Sequence, residues 1–325
     1  MSSPTLEHVR DAAARIAPYV HRTPVYTCRS LDVMCGATLF FKCENLQKCG
    51  AFKARGATNA VLSLPDRMAG RGVATHSSGN HAAALASAAR LRGIQAFVVM
   101  PENAPLVKRR AVAGYGAQII PCQSTLAARE EKLAEVVDRT GATVIHPYDD
   151  ERVIAGQGTA ALELCEEVPD LDTVIVPVGG GGLISGTALA LGAPSRDIRL
   201  LGAEPELADD ALRSLQAGRI IPSTYPSTVA DGLRTSLGRL TFPIIQRYVD
   251  GIVTVSEADI IAAMRTVWER MKLVIEPSAA VPLAAVIAGR AAVAGKRVGI
   301  ILSGGNVDLD ALPWVQKETS PHQQR

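Results

Sequence analysis

Four short segments carry residues that could serve one piece of chemistry together. Gly179-Gly180-Gly181-Gly182 follows the apolar run TVIVPV and precedes a helix expected near Leu183. Successive glycines let backbone N–H groups turn toward one centre, and a helix N-terminus adds its dipole, so the segment reads as a phosphate cradle. It is not a P-loop, because no Gly-Lys-Ser/Thr follows, and Ile184 and Ser185 break the GxGxxG spacing. A cradle without a lysine or a magnesium-binding hydroxyl suits a phosphate held as an anchor; the plain alternative is a tight strand–helix turn. Ser77-Ser78-Gly79-Asn80-His81 gathers hydroxyls, an amide and free helix N–H groups suited to a carboxylate, although Ser and Asn are also ordinary N-caps. Lys53, flanked by Phe52 and Ala54 near a helix start, is placed for desolvation and Schiff-base chemistry; alone it would read as a surface lysine. Ser303-Gly304-Gly305-Asn306, after the strand GIIL, sets a hydroxyl at a strand's carboxyl end or forms an N-cap turn.

The elements that must position these segments follow from periodicity. A first helix carries the stripe Leu6, Val9, Ala13 and Ile16, with Ser3-Pro4 as its cap and first residue. A strand is expected over 37–43 and a helix over about 50–64. Apolar strands at 72–75, 96–100, 118–121 and 143–146 alternate with three helices that stop near Gly93, Gly116 and Gly141. The rhythm resumes at 173–178, 199–203 and 297–302, whereas 205–250 is irregular. The tail after Trp314 is polar and reads as frayed. Such alternation implies parallel sheets with right-handed crossovers. The expected fold class is α/β, with a large lobe from 1–71 and 150–325 and a small lobe, 72–149, inserted in it. Ligands then bind at the carboxyl ends of the strands, between the lobes.

Composition excludes several functions. With 34 basic and 32 acidic residues the net charge is +2, so neither a nucleic-acid footprint nor a polybasic membrane patch is expected. Lys108-Arg109-Arg110 and Glu130-Glu131-Lys132 read as solvated helix faces. No signal peptide is apparent, and the uncharged run from Pro277 to Gly289 is too short to span a bilayer. The six cysteines show no CxxC pairing and read as free thiols, so a cytoplasmic protein is expected.

A phosphate anchor, a carboxylate site, an amine and a lone hydroxyl together suggest pyridoxal phosphate holding an amino acid. The segments KCENLQKCGAFKARGA, THSSGNHAAA, PVGGGGLISG, ERMKLVIEPSAA and LSGGNVDL also resemble the fold type II pyridoxal-phosphate family of serine/threonine dehydratases and serine racemases. The motifs run in family order from about 20 to 310, nearly the whole chain. By that resemblance Lys53 carries the cofactor and moves the Cα proton. Phe52 packs beside the ring, Asn80 binds its phenolic oxygen, and Gly179 to Gly182 hold the phosphate. Gly232 lines the ring's other side, and Ser303 faces the pyridine nitrogen. Ser77, Ser78, Asn80 and His81 resemble the substrate-carboxylate loop, with Arg129 as a further anchor, and Asp231 and Thr235 lie where the family meets a β-hydroxyl. The reaction implied is α,β-elimination of water from an L-β-hydroxy amino acid, giving a 2-oxo acid and ammonia. Racemisation, with Ser78 as the acid/base on the face opposite Lys53, is the alternative.

GAEPELADDA resembles the family's divalent-cation loop, implying Glu204, the Ala208 carbonyl and Asp210 as ligands for Mg²⁺ or Ca²⁺. A homodimer is implied by resemblance only. Departures from the family pattern are Ala51 for a serine, Cys49 for a threonine, Ala83 for a glutamine and Arg29 for a serine. The last three fall in the racemases' nucleotide-activator site, so ATP activation is not expected. Small Ala82 and Ala83 would leave room for a bulkier substrate such as an aryl-serine or hydroxyaspartate, and Arg234 or Arg129 would favour an acidic side chain.

Overall fold

A computed structural model describes residues 4–77, 79–104, 106–192, 198–224 and 226–315. Ser3, Ser78 and the tail from 316 lie outside the described residues. Two sheets account for the strands among the described residues. The larger runs in the order β1 (Val25–Thr27), β2 (Thr38–Cys43), β10 (Arg297–Leu302), β7 (Thr173–Pro177), β8 (Arg199–Pro205) and β9 (Gly251–Val255). The smaller runs β5 (Gln118–Cys122), β4 (Ala96–Pro101), β3 (Val73–His76), β6 (Thr143–Val144). The smaller sheet is parallel throughout, as the alternation predicts, and the larger departs from it at one edge, where β1 pairs with β2 antiparallel. Central β7 is buried at every residue and β10 at all but its first, the continuous apolar pattern of strands covered on both faces.

Several boundaries shift for local reasons. The first helix is Leu6–Ile16, capped by Thr5 rather than Ser3, and Thr5 N donates to His8 Nδ1 at 3.1 Å. Its buried stripe is Val9, Ala12 and Ile16, so Ala12 replaces Ala13 at the i+3 position. β6 stops before His146, whose Nδ1 instead accepts from Asp149 N at 2.8 Å and turns the chain away from the sheet. Ala82 and Ala83 are buried with Val98, Met100 and Val112 in the core of the smaller sheet. They do not border the cavity described below, so they make no room for a substrate. None of the six cysteines is in a disulfide among the described residues. Among the described residues no helix is long and apolar enough to cross a membrane.

Beneath the larger sheet lies a buried cluster of charge. Arg55, with no exposed side-chain surface, donates from Nε and Nη2 to the two oxygens of Glu44, each at 2.7 Å. Its Nη1 and Nη2 donate to Glu163 at 2.7 and 2.8 Å, and Lys42 Nζ donates to Glu163 at 2.6 Å. Thr23 Oγ1 donates to Glu44 at 2.6 Å, and Lys42 also donates to Thr23 O at 2.7 Å. Two cations and two anions cancel, and the bidentate forks satisfy most of their polar atoms, which is the condition for burying them. Burial would raise the Glu163 carboxyl, but the Arg55 hydrogen bonds and charge, with Lys42, hold it below its ordinary value. Stability from this group is therefore present above its unfolded value of 4.5 and is lost as pH falls through the lower folded value. Glu163→Ala leaves Lys42 and Arg55 undercompensated and is expected to cost about 3–5 kcal/mol. Urea unfolding at neutral pH measures that loss, and the difference from the parent should shrink as the pH is taken below 4.5.

Candidate active site

A cavity of about 440 Å³ lies between the two sheets, at the carboxyl ends of β3, β7 and β10. The loops that reach it are stitched together by backbone. Ala51 bridges Gly304, Phe52 N donates to Ser303 O at 3.0 Å, and Gly305 N donates to Gly50 O at 2.9 Å. The Lys53 segment is thereby fixed to the Ser303 turn, and Arg55, two residues on, locks the same helix (Lys53–Leu62) from below.

Lys53 opens that helix, and its Nζ donates to Pro147 O at 2.7 Å. The amine stands 5.0 Å from the centroid of the Phe52 ring. Burial lowers its pKa to about 8, against the opposing pull of Glu276. A sizeable neutral fraction near pH 8 is what a nucleophilic amine requires.

Gly179 to Gly182 line the facing wall, and Gly182 begins the helix Gly182–Ala190. Gly181 adopts φ +89°, and a Cβ there would come within 2.8 Å of Thr241 and Ile245. A Cβ on Gly180 would meet the Tyr148 ring at 2.4 Å. These positions admit only glycine, and their N–H groups sit at a helix N-terminus, where an anion could be held.

The remaining predicted residues converge on the same cavity, apart from the metal loop and Ser78, which lies outside the described residues. Ser77, Asn80, His81, Arg129, Asp231, Gly232, Thr235 and Ser303 all line it. Asn80 Nδ2 donates to Glu276 at 2.8 Å, and Gly232 N donates to Ser278 Oγ at 3.1 Å. Thr235 is hydrogen-bonded to the Tyr148 hydroxyl at 2.8 Å, while Asp231 is ion-paired with Lys108. His81 Nε2 lies 3.1 Å from Ile145 O, which can only accept, so that nitrogen carries the proton, and Nδ1 has no partner among the described residues. Burial, followed by Lys53, takes the His81 pKa down to about 3, and burial takes His146 to about 4. Both imidazoles are neutral at ordinary pH. Arg129 donates to Ser124 O at 2.9 Å, with a buried Nε that has no partner, and Arg234 donates to Thr228 O. Neither arginine is paired with a carboxylate among the described residues.

Sequence reasoning misses part of this wall. Lys108 and Glu130, expected on solvated faces, line the cavity, as do His76, His146, Tyr148 and Glu276. Glu276 and His76 had a usable signal, since they sit in the motifs ERMKLVIEPSAA and THSSGNHAAA, Glu276 just before a proline that starts a helix.

The cation loop stands apart, at the end of β8. Glu204 accepts from Leu212 N at 2.9 Å and from Ala211 N at 3.3 Å, while Asp210 Oδ2 is buried without a partner among the described residues. Burial pushes these carboxyls up to about 8 and about 7. Among the described residues no three His, Cys, Asp or Glu side chains cluster to hold a metal.

Comparison with known proteins places this architecture. The family model described as pyridoxal-phosphate dependent enzyme matches residues 16–304. The beta-hydroxyaspartate dehydratase of Paracoccus denitrificans is 53% identical, over 97% of this chain and 100% of that protein. The serine racemase of Arabidopsis thaliana is 51% identical, over 94% of this chain and 93% of that protein. The solved structure of maize serine racemase superposes with a TM-score of 0.93 at 49% identity, covering 95% of each chain. The resemblance carried by the five motifs is borne out, and with a buried lysine facing a glycine cradle, the chain belongs to the pyridoxal-phosphate dependent enzymes of the serine/threonine dehydratase and serine racemase type.

Proposed function

We propose that the protein eliminates water from an L-β-hydroxy amino acid, with 3-hydroxyaspartate the substrate its cavity suits best. The observation that carries this choice is charge. The imidazoles of His81 and His146 are neutral, yet Arg129 and Arg234 stand at the cavity without a carboxylate partner among the described residues. Two substrate carboxylates would satisfy them, and a serine or threonine side chain would not. A relative named for beta-hydroxyaspartate supports the same reading.

The residues present fit pyridoxal phosphate: a desolvated amine, a glycine loop at a helix N-terminus where a Cβ on Gly180 or Gly181 would strike Tyr148, Thr241 or Ile245, and the hydroxyl of Ser303, a residue 3% exposed. When bound, the cofactor supplies an aldehyde that captures amines and a ring that draws electrons from Cα. Lys53 holds it and, once released, takes the Cα proton, which its lowered pKa favours. Phe52 would pack beside the ring and Asn80 would donate to its phenolic oxygen, while Gly179 to Gly182 would hold the phosphate and Gly232 would line the opposite side. Ser303 offers the ring nitrogen a neutral hydroxyl, which does not enforce its protonation as a carboxylate would. Electron withdrawal is then weaker, and departure of a β-substituent is favoured over transamination. Ser77, the N-terminal turn of the helix Asn80–Arg92 and His81 border the α-carboxylate. Asp231 and Thr235, the latter backed by the Tyr148 hydroxyl, meet the leaving β-hydroxyl. In this reading residues 72–149 form the small substrate-binding lobe, inserted between 1–71 and 150–325 of the large one. The protein works as a cytoplasmic homodimer.

Glu204, the Ala208 carbonyl and Asp210 would hold a divalent cation. The partnerless Asp210 oxygen and the two raised carboxyls describe a pocket short of positive charge. Chelator treatment is expected to lower the melting temperature, and Mg²⁺ or Ca²⁺ to restore it; a melting curve unmoved by chelator rejects the site.

Release of 2-oxo acid from threo-3-hydroxyaspartate, L-serine, L-threonine and threo-phenylserine tests the substrate, with hydroxyaspartate expected to give the highest kcat/KM. Chiral analysis of recovered serine tests racemisation, and dominant racemisation overturns the lyase reading. Lys53→Ala is expected to abolish both the yellow colour and turnover. Arg129→Met is expected to raise KM for hydroxyaspartate about tenfold or more, the loss of one charged hydrogen-bond partner, while sparing serine turnover. An equal loss on both substrates would refute the acidic-side-chain assignment.

A further inference from the structure

Glu276 lines the cavity at only 5% exposure and is joined to Asn80 in a chain of polar groups whose direction is fixed at both ends. Asn306 Nδ2 donates to the carbonyl of Cys49 at 2.7 Å and to Asn80 Oδ1 at 2.9 Å. Asn80 Nδ2 donates in turn to Glu276 Oε1 at 2.8 Å. A backbone carbonyl can only accept, and so can the Glu276 carboxylate above a pKa that burial pushes up to about 7, so the two hold the nitrogen of each amide toward its acceptor. With Oδ1 and one N–H of Asn80 committed, its second N–H is the group left for the cavity. The surrounding backbone makes room for this chain. A Cβ on Gly304 would lie 2.6 Å from Glu276 Oε1, and one on Gly50 would lie 2.4 Å from Asn306 Oδ1.

We infer that Glu276 is a positioning residue: through Asn80, and with Asn306 at the far end, it fixes the Asn80 amide as an N–H donor toward the cofactor. The inference rests on the reading, proposed above, that Asn80 binds the phenolic oxygen of the ring. Without the carboxylate the orientation rests on Asn306 alone, and a flipped Asn80 would present an oxygen to an oxygen. Glu276 therefore contributes to how tightly the cofactor is held and to its electronic state before any substrate arrives.

The test uses the full chain, stripped of cofactor and reconstituted with pyridoxal phosphate, and reads binding affinity and the absorption spectrum rather than turnover. Glu276→Ala is expected to weaken cofactor binding about tenfold, the loss of one charge-assisted hydrogen bond, and to change the ratio of the bound cofactor's absorption bands. Asn80→Ala should do the same, and the double variant should be no weaker than Asn80→Ala alone, since the two residues act in series. Glu276→Gln keeps an acceptor at the same place and should return affinity to within about threefold of the parent. If Glu276→Ala does not fold, Asn306→Ala, at the exposed end of the chain, should reproduce the band change.

A parent-like spectrum and affinity for Glu276→Ala beside an impaired Asn80→Ala overturns the inference alone. A parent-like Asn80→Ala removes the underlying reading of Asn80, and the inference with it. Equal damage from Glu276→Gln and Glu276→Ala shows that charge rather than amide orientation is at stake, which also overturns it.

Discussion

Everything at the site depends on where the helix Lys53–Leu62 begins, and that point is set by Arg55. Its guanidinium lies wholly inside the protein, gripped by Glu44 from the end of β2 and by Glu163 from the helix Glu151–Glu167. Three elements distant in sequence are tied to one planar group two residues from the reactive amine. A hydrophobic contact could slide by an ångström at little cost, whereas a bidentate pair in a dry interior cannot. The cluster contributes little net stability, because desolvation offsets most of the attraction, but it holds the lysine in place.

Above this anchor the cavity is divided by element. The larger sheet supplies Lys53, the four glycines and Ser303. The smaller sheet supplies the Ser77 loop, Asn80 and Arg129. Because both sheets are parallel in this region, the segments carrying Lys53, Ser77, the four glycines and Ser303 emerge at the carboxyl ends of β2, β3, β7 and β10 and face the same gap. The charge within the gap is uneven. Its wall holds neutral imidazoles and a lysine of lowered pKa, together with two arginines and the Lys108–Asp231 pair.

Much of this was legible in the sequence. β10 and β7 are uninterrupted apolar runs ended by Ser-Gly-Gly and by four glycines, so both the strands and the turns that follow declare themselves locally. The buried amine was legible only through its company, since nothing in Lys53 alone separates it from an exposed lysine. Other features have no local signature. β1 is three residues long and defined by its partner β2, and His146 leaves its strand because its ring accepts backbone N–H groups. Lys108 and Glu130 belong to short charged runs that look solvated, and only the packing of the two sheets brings them to the cavity. Ala82 and Ala83 misled for the converse reason: neighbours of Asn80 in sequence, they point into the core of the smaller sheet.

The position of Tyr148 bears on how such a pocket can change over evolutionary time. One face of its ring closes over Gly180, while its hydroxyl engages Thr235. A substitution that reshaped the substrate end at this residue would also uncover the anchor, so the two ends cannot drift separately here. Arg129, Lys108 and Arg234 carry no such double duty toward the glycine loop. Selection for a new side chain would find its freedom on that wall, with the cofactor seat left undisturbed.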